Sequence, residues 1–483
     1  MALAVVGVLV DREPRALHRA HDVGEGDFLR RTGEHVAAAD PSLRADEAGA
    51  LHREEDLLEV GLGQGRALGD LLHRCRTLAA VQCERKQGAG RVVAAGRHLH
   101  GAIVARAGRA PPYARPVPPE AGSPVVPDYS GAAVNRVVPA LLGRADAAWL
   151  PSPVAGAEQR VLLVLDGLGW EALREHADHL PTLAALVGGP VTTVAPSTTA
   201  AALTSITTGL APAEHGVVGY RMRVDGRVLN VLRWSAGGGR PPDPFSVQRH
   251  PPFGGREVAV VTRAEYARTG FTEAHLRGAR FHGWHTEATL VEHVVRRIET
   301  GEPFVYAYSP GIDTVAHEFG LESAVFRREL AAADRLVSEL LDRLPPHCAL
   351  VVTSDHGQAP AGPDRLVELR RAADASVMMA GDARFRYLYA RPGGAAELLE
   401  IARDEAGDRA WVWSRAELLT SGILGRGATG SVPGRVGDVI VAARGADGFA
   451  DPAQPHEAHL RSAHGSLTAA EMLVPLVAAR GGR

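Results

Sequence analysis

Val161-Leu-Leu-Val-Leu-Asp-Gly-Leu-Gly169 decides how this chain is read: five apolar residues without interruption, then a carboxylate and a turn. A run so short and so uniformly apolar predicts a strand buried on both faces, because a strand with one wet face would alternate. A carboxylate at the carboxyl end of such a strand sits where open α/β sheets bind their ligands. Asp166 is thus a hard oxygen donor suited to a divalent cation; considered alone, it could equally cap the next helix.

Moving outward, short apolar or β-branched runs recur at Val191 to Val194, Val258 to Val261, Phe304 to Tyr308, Leu350 to Thr353 and Val439 to Ala442. Between them, Glu322 to Leu344 places Val325, Leu330, Ala333, Leu336, Val337 and Leu340 at helical spacing. That alternation predicts an α/β fold with a mostly parallel central sheet and helices on both faces. Arg221 to Arg256, rich in Gly and Pro, breaks the rhythm and is expected to be a small inserted cap. Trp234, His282, Trp284 and His285 are expected to pack, with stacking on a leaving group as the alternative.

The N-terminal part differs in kind. Residues 1–110 contain one aromatic, Phe28, and few sustained apolar patterns, so they have little with which to offset their ordering entropy. They are expected to be a disordered extension or the product of a misassigned translational start, with a small helical domain as the alternative. Residues 111–127 are a Pro-rich linker, and residues 128–483 are the expected catalytic domain, with the cap at 221–256.

With 483 residues and a formal net charge of -3, the chain has no overall field that would draw nucleic acid polymers or an anionic membrane. An anionic substrate must be held by a local site. Three scattered cysteines give neither a disulfide framework nor a thiolate cage. The apolar start lacks a basic flank and a cleavage site, so the protein is expected to be cytoplasmic.

Four further motifs fall at predicted strand ends. Pro196-Ser-Thr-Thr-Ala-Ala-Ala-Leu-Thr-Ser-Ile-Thr-Thr-Gly209 places hydroxyls in the first turn of a helix, where free N–H groups can hold a phosphate oxygen. Asp313-Thr-Val-Ala-His317, if helical, presents a carboxylate and an imidazole on one face. Ser354-Asp-His-Gly357 ends a strand with adjacent acid and imidazole, and its glycine is expected to permit a sharp turn. Ala463-His-Gly-Ser-Leu467 adds a late histidine. Each motif taken singly is compatible with capping or with a solvated surface.

Together and in this order, over Val161 to Leu476, they resemble the alkaline phosphatase superfamily, especially its type I phosphodiesterase and nucleotide pyrophosphatase members. The resemblance implies a hydrolase that cleaves phosphodiester or pyrophosphate bonds, with two Zn2+ or other divalent ions. It implies one zinc on Asp166, Thr199, Asp355 and His356, with Thr199 as the catalytic nucleophile in preference to Thr198, and a second zinc on Asp313, His317 and His464. The implied partner is a small phosphorylated substrate, with nucleotides among the candidates.

Two departures stand out. Where family diesterases carry a phosphate-binding asparagine, this chain has Gly219 or Tyr220, and the phenol of Tyr220 could donate the same bond. Bulky residues after the nucleophile are replaced by Ala200, Ala201 and Ala202. A phosphonate or phosphomonoester hydrolase of the same superfamily is therefore an alternative, and a non-catalytic binding module a more distant one. No Cys/Ser-x-Pro-x-Arg motif of a sulfatase follows Asp166.

Overall fold

The computed structural model describes residues 122–428 and 430–482. The expected extension at 1–110, and most of the linker after it, lie outside the described residues. The central sheet has seven strands: β1 (Gln159–Leu165), β2 (Val187–Thr192), β3 (Ala259–Arg263), β4 (Arg280–Trp284), β5 (Phe304–Ser309), β6 (Cys348–Thr353) and β7 (Leu473–Arg480). Their order across the sheet is β2-β7-β6-β1-β5-β3-β4.

Neighbours from β6 to β4 pair in parallel, whereas β7 runs antiparallel to both β2 and β6. It follows that β2 runs with the parallel strands. The carboxyl ends of β1, β2, β5 and β6 share one edge, and the chain enters β7 at that same edge.

Successive residues along a strand face opposite sides, and the cores divide accordingly. Leu162 and Val164 of β1 join Tyr306 and Tyr308 of β5 on one face; Val161, Leu163 and Leu165 join Val305 and Ala307 on the other. Helices Val134–Leu141 and Thr199–Thr208 cover the first face, and helices Glu287–Glu299 and Ala324–Arg343 the second. Full burial of each such Val or Leu contributes about 1.5–3 kcal/mol. The uniformly apolar sequence of β1 is the consequence of this double cover.

The long helix starts where its cap sits, with Ser323 Oγ accepting from the N–H of Phe326 at 3.0 Å. Its buried stripe runs Phe326, Leu330, Ala333, Val337, Leu340. Val325, which the sequence spacing had placed on this stripe, is half-buried beside it, because Phe326 completes the alternating three- and four-residue step. Buried Asp334 leaves the helix to accept from the N–H groups of Leu183 at 2.7 Å and Thr182 at 3.2 Å, satisfying the start of helix Pro181–Ala185.

The run Val439 to Ala442 does not join the central sheet. Residues Val439–Ala443 lie in a separate antiparallel sheet with Ser376–Asp382, Phe385–Ala390 and Ala410–Ser414. An apolar run reports burial, and burial alone cannot say which sheet provides it. Helix Ala395–Ala406 backs this second sheet through Leu398, Ala402 and Ala406.

The segment expected to be a cap holds a hairpin, Arg221–Val224 with Arg227–Asn230, followed by short helical turns at Pro244–Val247 and Pro252–Gly255. Trp234 is buried against Gly270, and Trp284 is buried in β4 with its N–H donated to the Tyr308 carbonyl at 3.2 Å. Both tryptophans are packing residues. Cys348 is buried in β6 and burial pushes its thiol up to about 12, which makes it unreactive. Among the described residues no helix is long and apolar enough to cross a membrane.

Asp334→Ala leaves two helix-start N–H groups without a partner and is expected to cost about 1–2 kcal/mol. The urea midpoint of unfolding should fall accordingly; an unchanged midpoint would show that water replaces the carboxylate without loss.

Candidate metal centre

Each motif reaches the shared edge by a simple route. Asp166 follows β1 directly, and Gly167 adopts φ +76°, where a Cβ would lie 3.0 Å from the Asp313 backbone. Asp355 and His356 follow β6. Asp313 and His317 lie on helix Gly311–Phe319, which starts two residues beyond β5. His464 precedes β7 and reaches the same place only because that strand runs backwards.

Thr199 opens helix Thr199–Thr208 after β2, and the cap separates the two threonines. The Thr198 hydroxyl accepts from the N–H of Ala201 at 3.4 Å, whereas Thr199 Oγ1 lies 3.1 Å from His356 Nε2. Thr198 is therefore the helix cap and Thr199 the hydroxyl that meets the cluster. Thr199 is buried, but for 8% of its surface.

The donors form two overlapping groups: Asp166, Asp355 and His356, and Asp313, His356 and His464. His356 Nε2 lies 3.4 Å from Asp166 Oδ1 and 3.5 Å from Asp355 Oδ2. His317 Nε2 is 3.3 Å and His464 Nε2 3.8 Å from Asp313 Oδ1. The edge of a tetrahedron around an ion with bonds of 2.0–2.1 Å is about 3.3 Å. Spacings of this size suit donors that share a cation.

The tautomers agree. His356 Nδ1–H donates to the Gly357 carbonyl at 3.1 Å, His317 Nδ1–H to the Ser462 carbonyl at 2.8 Å, and His464 Nδ1–H to the Ser197 carbonyl at 2.9 Å. A carbonyl can only accept, so in each neutral ring the lone pair is on Nε2, the atom that faces the carboxylates.

Charge makes the same point. Burial pushes the Asp166 carboxyl well above the usual range, and the charges of Asp355 and Asp313 push it further; burial also raises Asp355. Asp166 Oδ1 and Asp355 Oδ2 are buried, with no hydrogen-bond partner among the described residues. Buried ionised carboxylates facing one another cost on the order of several kcal/mol each unless a cation compensates. Orphaned oxygens, inward imidazole lone pairs and tetrahedral spacings all fit divalent metal ions.

Supporting residues emerge that strand-end motifs did not reveal. The Tyr308 hydroxyl donates to Asp166 Oδ2, and Gln358 Nε2 donates to Asp313 Oδ1. Gln358 follows Gly357 directly, so adjacency was its only signal; Tyr308 reads in sequence as one more core aromatic. Gly357, expected to permit a sharp turn, is instead required by close approach: a Cβ there would lie 2.0 Å from the Ala470 carbonyl oxygen.

Tyr220 stands apart from the metal donors, at the base of the hairpin, with its hydroxyl accepting from Asn230 Nδ2 at 2.7 Å. Burial raises its pKa, and the charge of Asp382 raises it further. Asp382 in turn lies against Gly465, the residue after His464. The phenol therefore stays protonated.

In the folded, metal-free protein Asp166 and Asp355 bind protons more tightly than in the unfolded chain. Their contribution to stability is greatest in acid and is lost as pH rises through the raised folded values. A divalent ion binds only the ionised groups and removes that penalty. Zinc is expected to raise the unfolding temperature more at pH 8 than at pH 5, as read by differential scanning fluorimetry; an equal rise at both pH values would place zinc elsewhere.

Residues 160–467 match the family model of type I phosphodiesterase / nucleotide pyrophosphatase. No curated protein matches the chain in sequence. Among solved structures, human ectonucleotide pyrophosphatase / phosphodiesterase 5 is similar with a TM-score of 0.51 at 16% identity, over 66% of this chain and 87% of that one. An inactive form of its murine counterpart in complex with AMP gives 0.53 at 15% identity, over 67% and 88%. Phosphonoacetate hydrolase from Sinorhizobium meliloti 1021, in complex with phosphonoformate, gives 0.50 at 20% identity, over 67% and 91%. These likenesses show a shared fold.

Proposed function

Because the chain belongs to the type I phosphodiesterase / nucleotide pyrophosphatase family and is thereby a phosphoester hydrolase, we propose that it cleaves phosphodiester or pyrophosphate bonds by attack of Thr199 at a centre of two zinc ions. Asp166, Thr199, Asp355 and His356 hold one ion; Asp313, His317 and His464 hold the other. The observation that carries this reading is the Thr199 hydroxyl, 3.1 Å from His356 Nε2 at a helix start, with the capping role left to Thr198.

When bound, the ions lower the pKa of a hydroxyl they touch and neutralise a non-bridging phosphate oxygen. Thr199 Oγ1 attacks phosphorus in line, and its new P–O bond forms as the bond to the leaving group breaks. The N–H groups of Thr199 and Ala200, without intrahelical partners in the first turn, point at a phosphate oxygen. Tyr220 keeps its proton and donates to the same phosphate, in place of the family's asparagine. Water then displaces Thr199 from phosphorus and restores the hydroxyl. Tyr308 and Gln358 hold Asp166 and Asp313 in place through these steps.

The substrate is a small phosphorylated molecule, with nucleotides among the candidates; the AMP in the similar murine structure favours that class. The phosphonoformate of the Sinorhizobium hydrolase favours the competing reading, a phosphonate substrate. Ala200, Ala201 and Ala202 are buried inside the helix, so the small side chains after Thr199 serve its packing against the core. We place the enzyme in the cytoplasm, in keeping with its few and scattered cysteines.

Thr199→Ala is expected to keep the fold and the zinc content while lowering kcat by roughly 10³-fold or more. Undiminished turnover would reject this nucleophile. In a parallel assay of chromogenic diester, monoester and phosphonate substrates on zinc-loaded protein, the diester is expected to be preferred and a chelator to abolish turnover. Preference for the phosphonate would favour the competing reading.

A further inference from the structure

Helix Thr199–Thr208 runs away from the metal centre for about 15 Å, at 1.5 Å per residue. A cavity of about 320 Å³ opens at its far end, between that end, helix Val134–Leu141 and the loop at 250–254. Its polar lining includes Arg136, Arg144 and His250, and its apolar wall includes Pro139, Leu142 and Phe253. Among the described residues no acidic side chain lines it. In a chain whose net charge is -3, two guanidinium groups and an imidazole around one hollow are a marked local excess of positive charge.

Arg144 and His250 are exposed to solvent, whereas Arg136 is half-buried. Among the described residues none accepts a hydrogen bond from the buried Arg136 Nε. The helix end does not supply an acceptor: the Gly209 N–H serves the Ser205 carbonyl, and none of the remaining end carbonyls is an acceptor for Arg136 Nε. A buried donor without an acceptor is costly, and an oxyanion in the cavity would supply one.

The loop is shaped to present the second cation. Phe253 has φ +52° and ψ +24°, an outlier for so bulky a residue, and is held there by burial and an edge-to-face contact with Tyr306 at 5.9 Å. At Gly254, with φ +61°, a Cβ would fall 0.9 Å from Arg144 Nη1, so the absence of a side chain lets the guanidinium lie across the loop. Strained backbone of this kind persists where the surroundings over-determine it, and it gathers at ligand sites.

We propose that this cavity is a second anion site, remote from the metal centre, which takes a small phosphate- or carboxylate-bearing molecule. The oxyanion lies between Arg136 and Arg144, where two planar guanidinium groups match its geometry, with His250 as a further donor. The remainder of the ligand rests on Pro139, Leu142 and Phe253. At about 320 Å³ the space lies at the small end of ligand pockets, large enough for a compact metabolite and too small for a polymer. The site does not depend on the assignment of the nucleophile.

Tungstate, an oxyanion with a strong anomalous signal, tests this directly in crystals of the zinc-loaded full chain. Anomalous density is expected between Arg136 and Arg144 in the wild type, whether or not a second peak marks the metal centre. The double variant Arg136→Ala/Arg144→Ala is expected to lose the cavity peak while keeping its hydrolytic rate within about twofold, which also shows that it has folded. If that variant does not fold, Arg136→Gln replaces it, with the same loss expected. Absence of cavity density in the wild type, or its persistence in the folded variant, overturns the proposal.

Discussion

Three carboxylates held against one another in an apolar setting set the terms for the rest of this protein. Asp166, Asp313 and Asp355 meet at the edge of a sheet whose strands are apolar on both faces, and burial disfavours the ionisation of Asp166 and Asp355. Among the described residues no lysine or arginine pairs with them; the facing groups are imidazoles that turn lone pairs inward. The arrangement is stable as an ionised cluster only around added positive charge. The sheet exists in a form that assembles this repulsion at one place, and the helices on both faces supply the apolar burial that offsets it.

That assembly depends on strand direction. Parallel strands bring Asp166, Asp313, Asp355 and the Thr199 helix to one edge because each leaves the sheet in the same sense. The late histidine cannot arrive that way, since it precedes its strand. One reversed strand, β7, between β2 and β6, solves this by entering where the others exit. The second, antiparallel sheet is built from the chain between the Asp-His pair and His464, so it is the structure through which the last ligand returns.

Helix Thr199–Thr208 links the two regions of chemical interest in this fold. At its start lie the Thr199 hydroxyl and free N–H groups beside the carboxylate cluster; at its end lies a basic cavity walled by the loop that closes the inserted segment. The helix is buried along nearly its whole length. Its two ends are therefore held by the same core, while their electrostatics are opposite in sign: an acidic cluster in need of cations and a basic hollow in need of an anion.

Much of this was legible in the residues. An uninterrupted apolar run ending in an acid predicts a doubly covered strand with a ligand at its carboxyl end, and the four-residue spacing of Asp313 and His317 predicts one helical face, because strand and helix periods are local properties of the backbone. The family resemblance rested on that local order and brought seven donors into view. What the sequence left open was decided by contacts between distant segments. Only the fold shows that Val439–Ala443 belongs to another sheet, that Phe326 displaces Val325 from the core, and that Tyr308 and Gln358 support the carboxylates. The roles of Thr198 and Thr199 divide for the same reason: two adjacent hydroxyls are equivalent in sequence, and the helix start fixes one on its own backbone and turns the other toward a histidine 157 residues away.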